Sequence, residues 1–279
     1  MHKGKKLLFI LHRSKFSLAF FSLFLSFILI IGTTYAWYTE SDERINRIES
    51  HNQHLSAKIE ENFQTVDQWS PGTTKRKEIR VKNDGEVAAI VRLSLKEYFL
   101  YFEVDTTDNH REEISRYNGN GNLTVYGQPT NAIDVSKVAT WKKGNTYELS
   151  ASIYYKAKED VLERDYVHGQ NRTLPLKAIE LNFHPNKIFE DHSKIPPNES
   201  RYWYYEKGFF YYSEALKPGE ITTNLLDSVS LSTVYGNPYK GALYKLVPKM
   251  DAHHVTHSLI SDWELKPTDY VYNLYQGLL

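Results

Sequence analysis

The chain has 279 residues, of which 41% are hydrophobic and 24% charged, and its 34 basic residues balance 34 acidic ones. This is the composition of ordinary globular protein. The sequence contains no cysteine, which excludes disulfide bonds, thiol catalysis and cysteine-ligated zinc.

The N-terminus has the pattern of an export signal. Positions 1–15 carry five Lys and Arg residues and no acid, and positions 16–31 are apolar except for three serines. A helix over 16–31 covers roughly 24 Å, less than the ~30 Å of bilayer hydrocarbon. We therefore predict a cleavable signal helix within residues 1–36, cut after Ala36 so that Trp37 becomes the N-terminus. An uncleaved membrane anchor is the alternative, because residues 7–31 are nearly all apolar.

Cleavage would change the charge of the chain. Removing five cations leaves 29 basic against 34 acidic residues, about minus five. A nucleic-acid partner is not expected, since its binding site would be a basic surface. An exported protein without disulfides suits the exterior of a Gram-positive bacterium, so we predict a secreted protein.

The mature chain is predicted to begin with a polar leader that is followed by a half-buried strand. Residues 37–54 are polar, with Ile45 and Ile48 as their only aliphatic side chains before His54, and they are typical of a flexible leader or a segment that awaits a partner. Strict alternation then predicts a half-buried strand over 55–63. After a turn at Pro71-Gly72, residues 79–81 lead through Asn83-Asp84-Gly85 to a returning strand over 89–95.

The remaining pattern favours one all-β domain. Further strands are predicted over 123–126, 146–156, 202–205, 209–212, 228–233 and 242–250. Pro248 makes the last of these an edge strand or a bulged one. Short helices are predicted over 160–165, 174–181 and 257–263. We predict an antiparallel β-sandwich over 55–265, followed by a tail over 266–279.

Several stretches resemble a known family. They are Trp37-Tyr38-Thr39-Glu40-Ser41, Trp69-Ser70-Pro71-Gly72-Thr73-Thr74, Lys77 to Gly85, Val91-Arg92-Leu93-Ser94, Tyr204-Tyr205 through Tyr211-Tyr212, Leu216-Lys217-Pro218-Gly219, Leu225 to Val229 and Met250-Asp251-Ala252. In order and spacing the chain is similar to the exported biofilm-matrix proteins of the TasA and camelysin group, and most closely to the BsaA family. It departs from them at His253 and His254 and in the tail.

The resemblance implies a function. Members of the group are processed by an ER-like signal peptidase of the SipW type and build extracellular fibres. Their jelly-roll sandwich lacks one strand, which the N-terminal segment of a neighbouring subunit supplies. For this chain it implies a homo-oligomeric fibre whose donor strand is anchored by Trp37, Ile45 and Ile48. The alternative is a leader that contacts nothing.

An aromatic hairpin is the other unusual feature. Residues 202–205 and 209–212 are eight aromatic side chains joined through Glu206-Lys207-Gly208. One face would fill the core. The other could form a subunit contact or bind matrix polysaccharide, and the candidate contact residues are Trp203, Tyr205, Phe209 and Tyr211.

The sequence contains no recognisable catalytic motif. No His-Glu-x-x-His run exists, and the cluster of His253, His254 and His257 has no adjacent Glu to act as a general base. We therefore expect no metal, no cofactor and no catalytic residue. Three functions remain open: a structural subunit of matrix fibres, which we favour, a monomeric surface adhesin that binds glycans, and a secreted metalloprotease.

Overall fold

The computed structural model describes residues 54–63, 69–105, 122–235 and 237–279. The predicted signal helix and its cleavage site between Ala36 and Trp37 lie outside the described residues. The donor-strand residues Ile45 and Ile48 lie outside them as well. All described residues belong to one compact unit, 52–279.

The described chain is built mainly from β-strands, as predicted. The strands are β1 (Ala57–Phe63), β2 (Thr74–Asn83), β3 (Ala89–Leu100), β4 (Thr146–Ser150), β5 (Ile153–Lys156), β6 (Leu162–Asp165), β7 (Ile179–Phe183), β8 (Ile188–Phe189), β9 (Trp203–Glu206), β10 (Phe209–Tyr212), β11 (Leu226–Leu231) and β12 (Leu243–His254). The helices are α1 (Ser258–Asp262) and α2 (Tyr270–Gln276), with 3-10 turns at Val138–Thr140, Leu176–Ala178, His192–Lys194 and Asn237–Tyr239.

Two sheets form the body of the fold. Sheet A has the order β1-β2-β11-β7 and is antiparallel throughout. Sheet B has the order β12-β3-β10-β9-β8, and β6 pairs with the far end of β3. Its pairs are antiparallel except β8 with β9. The long strand β3 is central because β12 covers one of its sides while β10 and β6 share the other.

The core lies between these sheets. Alternate residues of each strand point into it, as the period of a strand requires. Ile79 and Val81 of sheet A and Val91 and Leu93 of sheet B are fully buried in one cluster. The predicted all-β architecture with antiparallel sheets is therefore confirmed.

An insertion between β3 and β6 builds a second, smaller core around Phe102 and Trp141. The predicted strand over 146–156 is instead two strands, β4 and β5, because the chain turns at Ser152 with a φ of +63°. The helix predicted over 160–165 is wrong: Leu162–Asp165 pairs with β3 as strand β6. Tertiary pairing overrides a weak local preference there.

The C-terminus is part of the domain. The segment 266–279 was expected to be a tail, but Val271 and Tyr275 of α2 are fully buried against the outer face of sheet B. The prediction failed because the apolar face of so short a helix becomes evident only against its packing partner.

Candidate functional site at the edges of the sandwich

The chain enters the fold at a fixed point. Glu86 N donates to His54 O at 2.8 Å and Gly85 N donates to Ser56 O at 3.0 Å. The Ser56 hydroxyl donates to Asp84 Oδ1 at 2.6 Å. The turn after β2 therefore holds the start of β1.

Gly85 makes this contact possible, and its replacement has a measurable consequence. A Cβ at position 85 would lie 2.5 Å from Ser56 N and 2.6 Å from His54 O, both of them backbone atoms. We expect Gly85→Ala to loosen residues 54–56 and to destabilise the domain by about 1–3 kcal/mol. Hydrogen exchange should show faster exchange at Gly85 and Glu86. Unchanged exchange at those amides would contradict the contact.

Strand β1 is an edge of sheet A with a half-open apolar face. Leu55, Ala57 and Ile59 pack against the main core but are only partly buried. Their neighbours on β2, Ile79 and Val81, are fully buried. The core is thus only partly covered along β1.

A groove lies over β1 and β2. Its volume is about 520 Å³, and it is lined by Lys58, Ile59, Glu60, Glu61, Glu78 and Arg80. Four of the six lining residues, Lys58, Glu60, Glu78 and Arg80, lie on the outer face of β1 and β2, and Ile59 and Glu61 are the other two. Glu60 and Arg80 form an ion pair of 3.0 Å on its outer wall. An extended peptide is the shape that such an edge accommodates.

An ion pair between a buried lysine and an exposed glutamate lies at the groove. Lys77 of β2 points into the core with 3% of its surface exposed, and its Nζ lies 2.7 Å from Glu61 Oε2. Burial lowers the pKa of Lys77, and the Glu61 carboxylate opposes that shift. An apolar pattern alone does not predict a lysine at this core position, because it needs an acid on the neighbouring strand.

No strand within the described ranges pairs with the outer side of β1, and this free edge carries its own hydrogen-bonding groups. Gly219 N, Thr222 N and Leu225 N donate to the carbonyls of Asn83, Val81 and Ile79, on the side of β2 away from β1. The β1 residues opposite those three are Ala57, Ile59 and Glu61. In an antiparallel pair, opposite residues direct their backbone groups the same way, either both inward or both outward. Ala57, Ile59 and Glu61 therefore present N–H and C=O groups to the free edge.

Strand β12 is the neighbouring edge, in sheet B. It pairs with β3 over twelve residues without a shift in register, and Cα atoms of β1 and β12 come within 8 Å of each other. Among the described residues, no strand pairs with its outer side. The edge position predicted from Pro248 is confirmed, and the alternative of a bulge is not observed.

The aromatic hairpin does not form an exposed contact surface. Trp203, Tyr205 and Tyr211 are buried, and only Phe209 is partly exposed. Lys207 and Gly208 form a two-residue turn with φ values of +50° and +90°. Tyr205 therefore pairs with Phe210 rather than Phe209.

This register separates the four candidate contact residues. Trp203 and Tyr205 fill the main core, whereas Phe209 and Tyr211 lie on the outer face of sheet B. The three-residue turn assumed from the sequence shifts the pairing by one residue, and a shift of one moves a side chain to the other face.

The C-terminal helices cover the outer aromatic face. Arg92 of β3 lies between the rings of Phe209 and Trp263, 4.1 and 4.6 Å from their centroids, and its Nε lies 2.9 Å from Asp251 Oδ2. The Tyr275 hydroxyl donates to Tyr212 O at 2.9 Å. The aromatic residues that suggested glycan binding are thus engaged within the domain.

A second group ties α2 to the hairpin turn. The Lys207 ammonium lies 2.6 and 2.7 Å from the two oxygens of Asp269. The Glu206 carboxylate accepts hydrogen bonds from the backbone N–H groups of Tyr270 and Val271, both at 3.2 Å. These contacts satisfy donors at the start of α2 that have no partner within the helix.

The histidine cluster is spread out. His253 Nε2 lies 2.8 Å from Asp262 Oδ2, and its ring packs edge-on against Trp263. His257 is exposed. Within the described ranges, no group of three or more His, Cys, Asp or Glu side chains is arranged to hold a metal ion.

A charged network inside the sandwich was not predicted. Arg172, from the loop between β6 and β7, donates to the Glu97 carboxylate of β3 and to Ile179 O of β7, the latter at 2.6 Å. The Tyr244 hydroxyl of β12 donates to Glu97 at 2.8 Å. Burial raises the pKa of Glu97, while Arg172 opposes the shift. Glu97 could have been suspected from its place among the core-facing positions of 89–99, but its partner could not.

In the part of the chain that the structure describes, no helix has the length and apolarity to span a bilayer. Comparison of the chain with protein-family models, with curated proteins and with solved structures finds no match.

Proposed function

We propose that this protein is a secreted structural subunit of extracellular matrix fibres, in which the leader of one subunit adds a strand to the sandwich of the next. The observation that carries the proposal is the open edge at β1. There the core is only partly covered, and a groove lies over β1 and β2. Addition of a strand would hydrogen-bond the free backbone groups and cover apolar surface.

The sequence supplies a segment of suitable character. Residues 37–53 precede the point where the chain enters the fold, and the leader carries Trp37, Ile45 and Ile48 among polar residues. An extended chain spans at most about 3.3–3.6 Å per residue, so seventeen residues reach roughly 60 Å at full extension. A leader of that length is long enough to reach the edge strand of an adjacent subunit in a fibre.

The other expectations from the sequence form part of the same proposal. The chain is exported through its N-terminal signal, is cleaved by an ER-like signal peptidase and assembles with copies of itself in a jelly-roll arrangement. The absence of cysteine from the sequence means that the fibre would have to be held by hydrogen bonds and burial rather than by disulfides.

The decisive experiment changes the leader without touching the domain. In a chain that begins at Trp37, we expect the double variant Ile45→Asp/Ile48→Asp to abolish fibres in electron micrographs and to sediment as a monomer. Two buried aliphatic anchors would be lost and two charges introduced, which costs several kcal/mol per subunit contact.

The matched control is Asn46→Asp/Ser50→Asp, which adds the same charge at polar positions of the leader. It should form fibres like the parent chain. Equal fibre formation by both double variants, or none by the parent chain at high concentration, would refute strand donation by the leader.

A further inference from the structure

We infer that β1, rather than the neighbouring edge at β12, accepts a strand from a second copy, because Pro248 interrupts the free edge of β12. The inference rests on the proposed function and adds the location of the acceptor. It follows from the direction of backbone groups on the two edges.

The backbone groups of β12 can be assigned from its partner strand. Tyr166 N donates to Leu95 O at 2.9 Å, and Leu216 N donates to Ala89 O at 2.8 Å, both on the side of β3 away from β12. Leu95 lies opposite Pro248, and Ala89 lies opposite His254. These opposite residues also direct their backbone groups outward.

Pro248 therefore stands at the middle of the free edge of β12. The outward positions are Tyr244, Leu246, Pro248, Met250, Ala252 and His254. Proline has no N–H, and its ring occupies the space where an added strand would approach. The proline divides the free edge into a stretch of two donors, Tyr244 and Leu246, and a stretch of three, Met250, Ala252 and His254. The proline leaves the pairing with β3 intact, since the missing N–H is one that β3 does not use.

Lysines add to the protection of β12. Lys245 and Lys249 flank Pro248, and Lys249 is exposed. Charged side chains, lysine above all, and proline are the residues by which natural edge strands avoid pairing with other chains. A strand with Lys245, Pro248 and Lys249 near its centre is a poor template for a second chain.

Strand β1 offers the opposite arrangement. The outward positions Ala57, Ile59 and Glu61 follow one another with an N–H at each, and the sequence of β1 contains no proline. The side chains of Ala57 and Ile59 face the partly covered core. A strand added here would gain an uninterrupted ladder and bury apolar surface at the same time.

The first test blocks β1. In the chain that begins at Trp37, we expect Ala57→Pro to raise the concentration needed for fibre formation about tenfold, the effect of losing one or two hydrogen bonds at each contact. Ala57→Val is the control, because it enlarges the side chain but keeps the N–H. Both variants should keep the circular dichroism of the parent, since Lys58 and Glu60 carry the bonds to β2.

The second test opens β12 and does not depend on the leader. In the Ile45→Asp/Ile48→Asp chain, we expect Pro248→Val to produce dimers and larger species in sedimentation velocity, because a continuous row of donors returns. Met250→Val, which makes the same residue at an outward position that already has an N–H, should remain monomeric.

The outcomes separate the two ideas. Fibres that form equally well with Ala57→Pro and Ala57→Val would overturn the assignment of β1. A Pro248→Val chain that stays as monomeric as Met250→Val would overturn the role of Pro248. Failure of the parent chain to form fibres would refute the proposed function alone, since the Pro248→Val comparison can still be read.

Discussion

Replacing Arg172 with methionine is expected to lower the free energy of unfolding at neutral pH by about 3–5 kcal/mol, the usual cost of leaving a buried charge without its partner. Glu97 is 2% exposed and accepts hydrogen bonds from Arg172 and Tyr244. Without the guanidinium, the Glu97 carboxylate keeps only the tyrosine hydroxyl. Arg172 also donates to Ile179 O, so the variant loses a link between sheets B and A.

The loss of stability in Arg172→Met should depend on pH in a characteristic direction. Burial already raises the pKa of Glu97 above its ordinary value of 4.5, and Arg172 holds the shift in check. Removing Arg172 raises that pKa further, so the folded variant binds a proton more readily than the unfolded chain does. The deficit relative to the parent should therefore be largest above the raised pKa and should shrink as the pH falls towards 4.5.

Urea unfolding at several pH values measures this effect, with Arg172→Lys and Arg172→Met/Glu97→Gln as companions. Lysine keeps the charge but not the paired geometry, so its loss should be smaller. The double variant should recover part of the stability because no buried charge remains. A double variant no more stable than Arg172→Met would show that the charge of Glu97 is not the cause.

Replacing Tyr275 with alanine is expected to destabilise the domain by about 3–5 kcal/mol, the range found for large aromatic side chains in cores. Tyr275 of α2 is fully buried, and its ring lies near Tyr211 and Trp263. The truncation would remove that packing and the hydrogen bond to Tyr212 O. It would also uncover part of the aromatic face of sheet B.

The control is Tyr275→Phe, which keeps the ring and removes only the hydroxyl. Its loss should be about 1 kcal/mol, the typical net contribution of one hydrogen bond. Both variants are compared by thermal and urea unfolding and by binding of a hydrophobic dye. Equal, small losses in both would mean that the C-terminal segment is a tail, contrary to the structure.

Short sequence patterns correctly predicted the strands and turns that pair with segments close to them in the sequence. The alternation over 55–63 and the Asn83-Asp84-Gly85 turn correspond to β1 and to the link between β2 and β3. The helix expected over 257–263 is present as α1. The weaker patterns failed where contacts with residues distant in the sequence determine the secondary structure. Residues 160–165 became strand β6 because the end of β3 offers an open side.

The candidate site was visible in the sequence only in part. The half-buried character of β1 and the edge position of Pro248 could both be read from the pattern of residues. Which backbone groups face outward could not, because that depends on the partners of β2 and β3 across the sheet. The prediction of an exposed aromatic surface on the hairpin was wrong for a related reason. A turn of two rather than three residues changes which side chains share a face, and α2 then covers that face.

The sequence by itself determined that the chain is mostly strand, contains no cysteine and has a polar leader before a half-buried strand, since composition and period-two alternation act within a few residues. The tertiary structure decided the rest. It set the order of the strands, buried Glu97 with Arg172, packed the C-terminal helices on the aromatic hairpin and placed β1 and β12 at the edges of the two sheets in the described part of the chain. The physical reason is that these features depend on contacts between residues far apart in the chain, whose register no local pattern records.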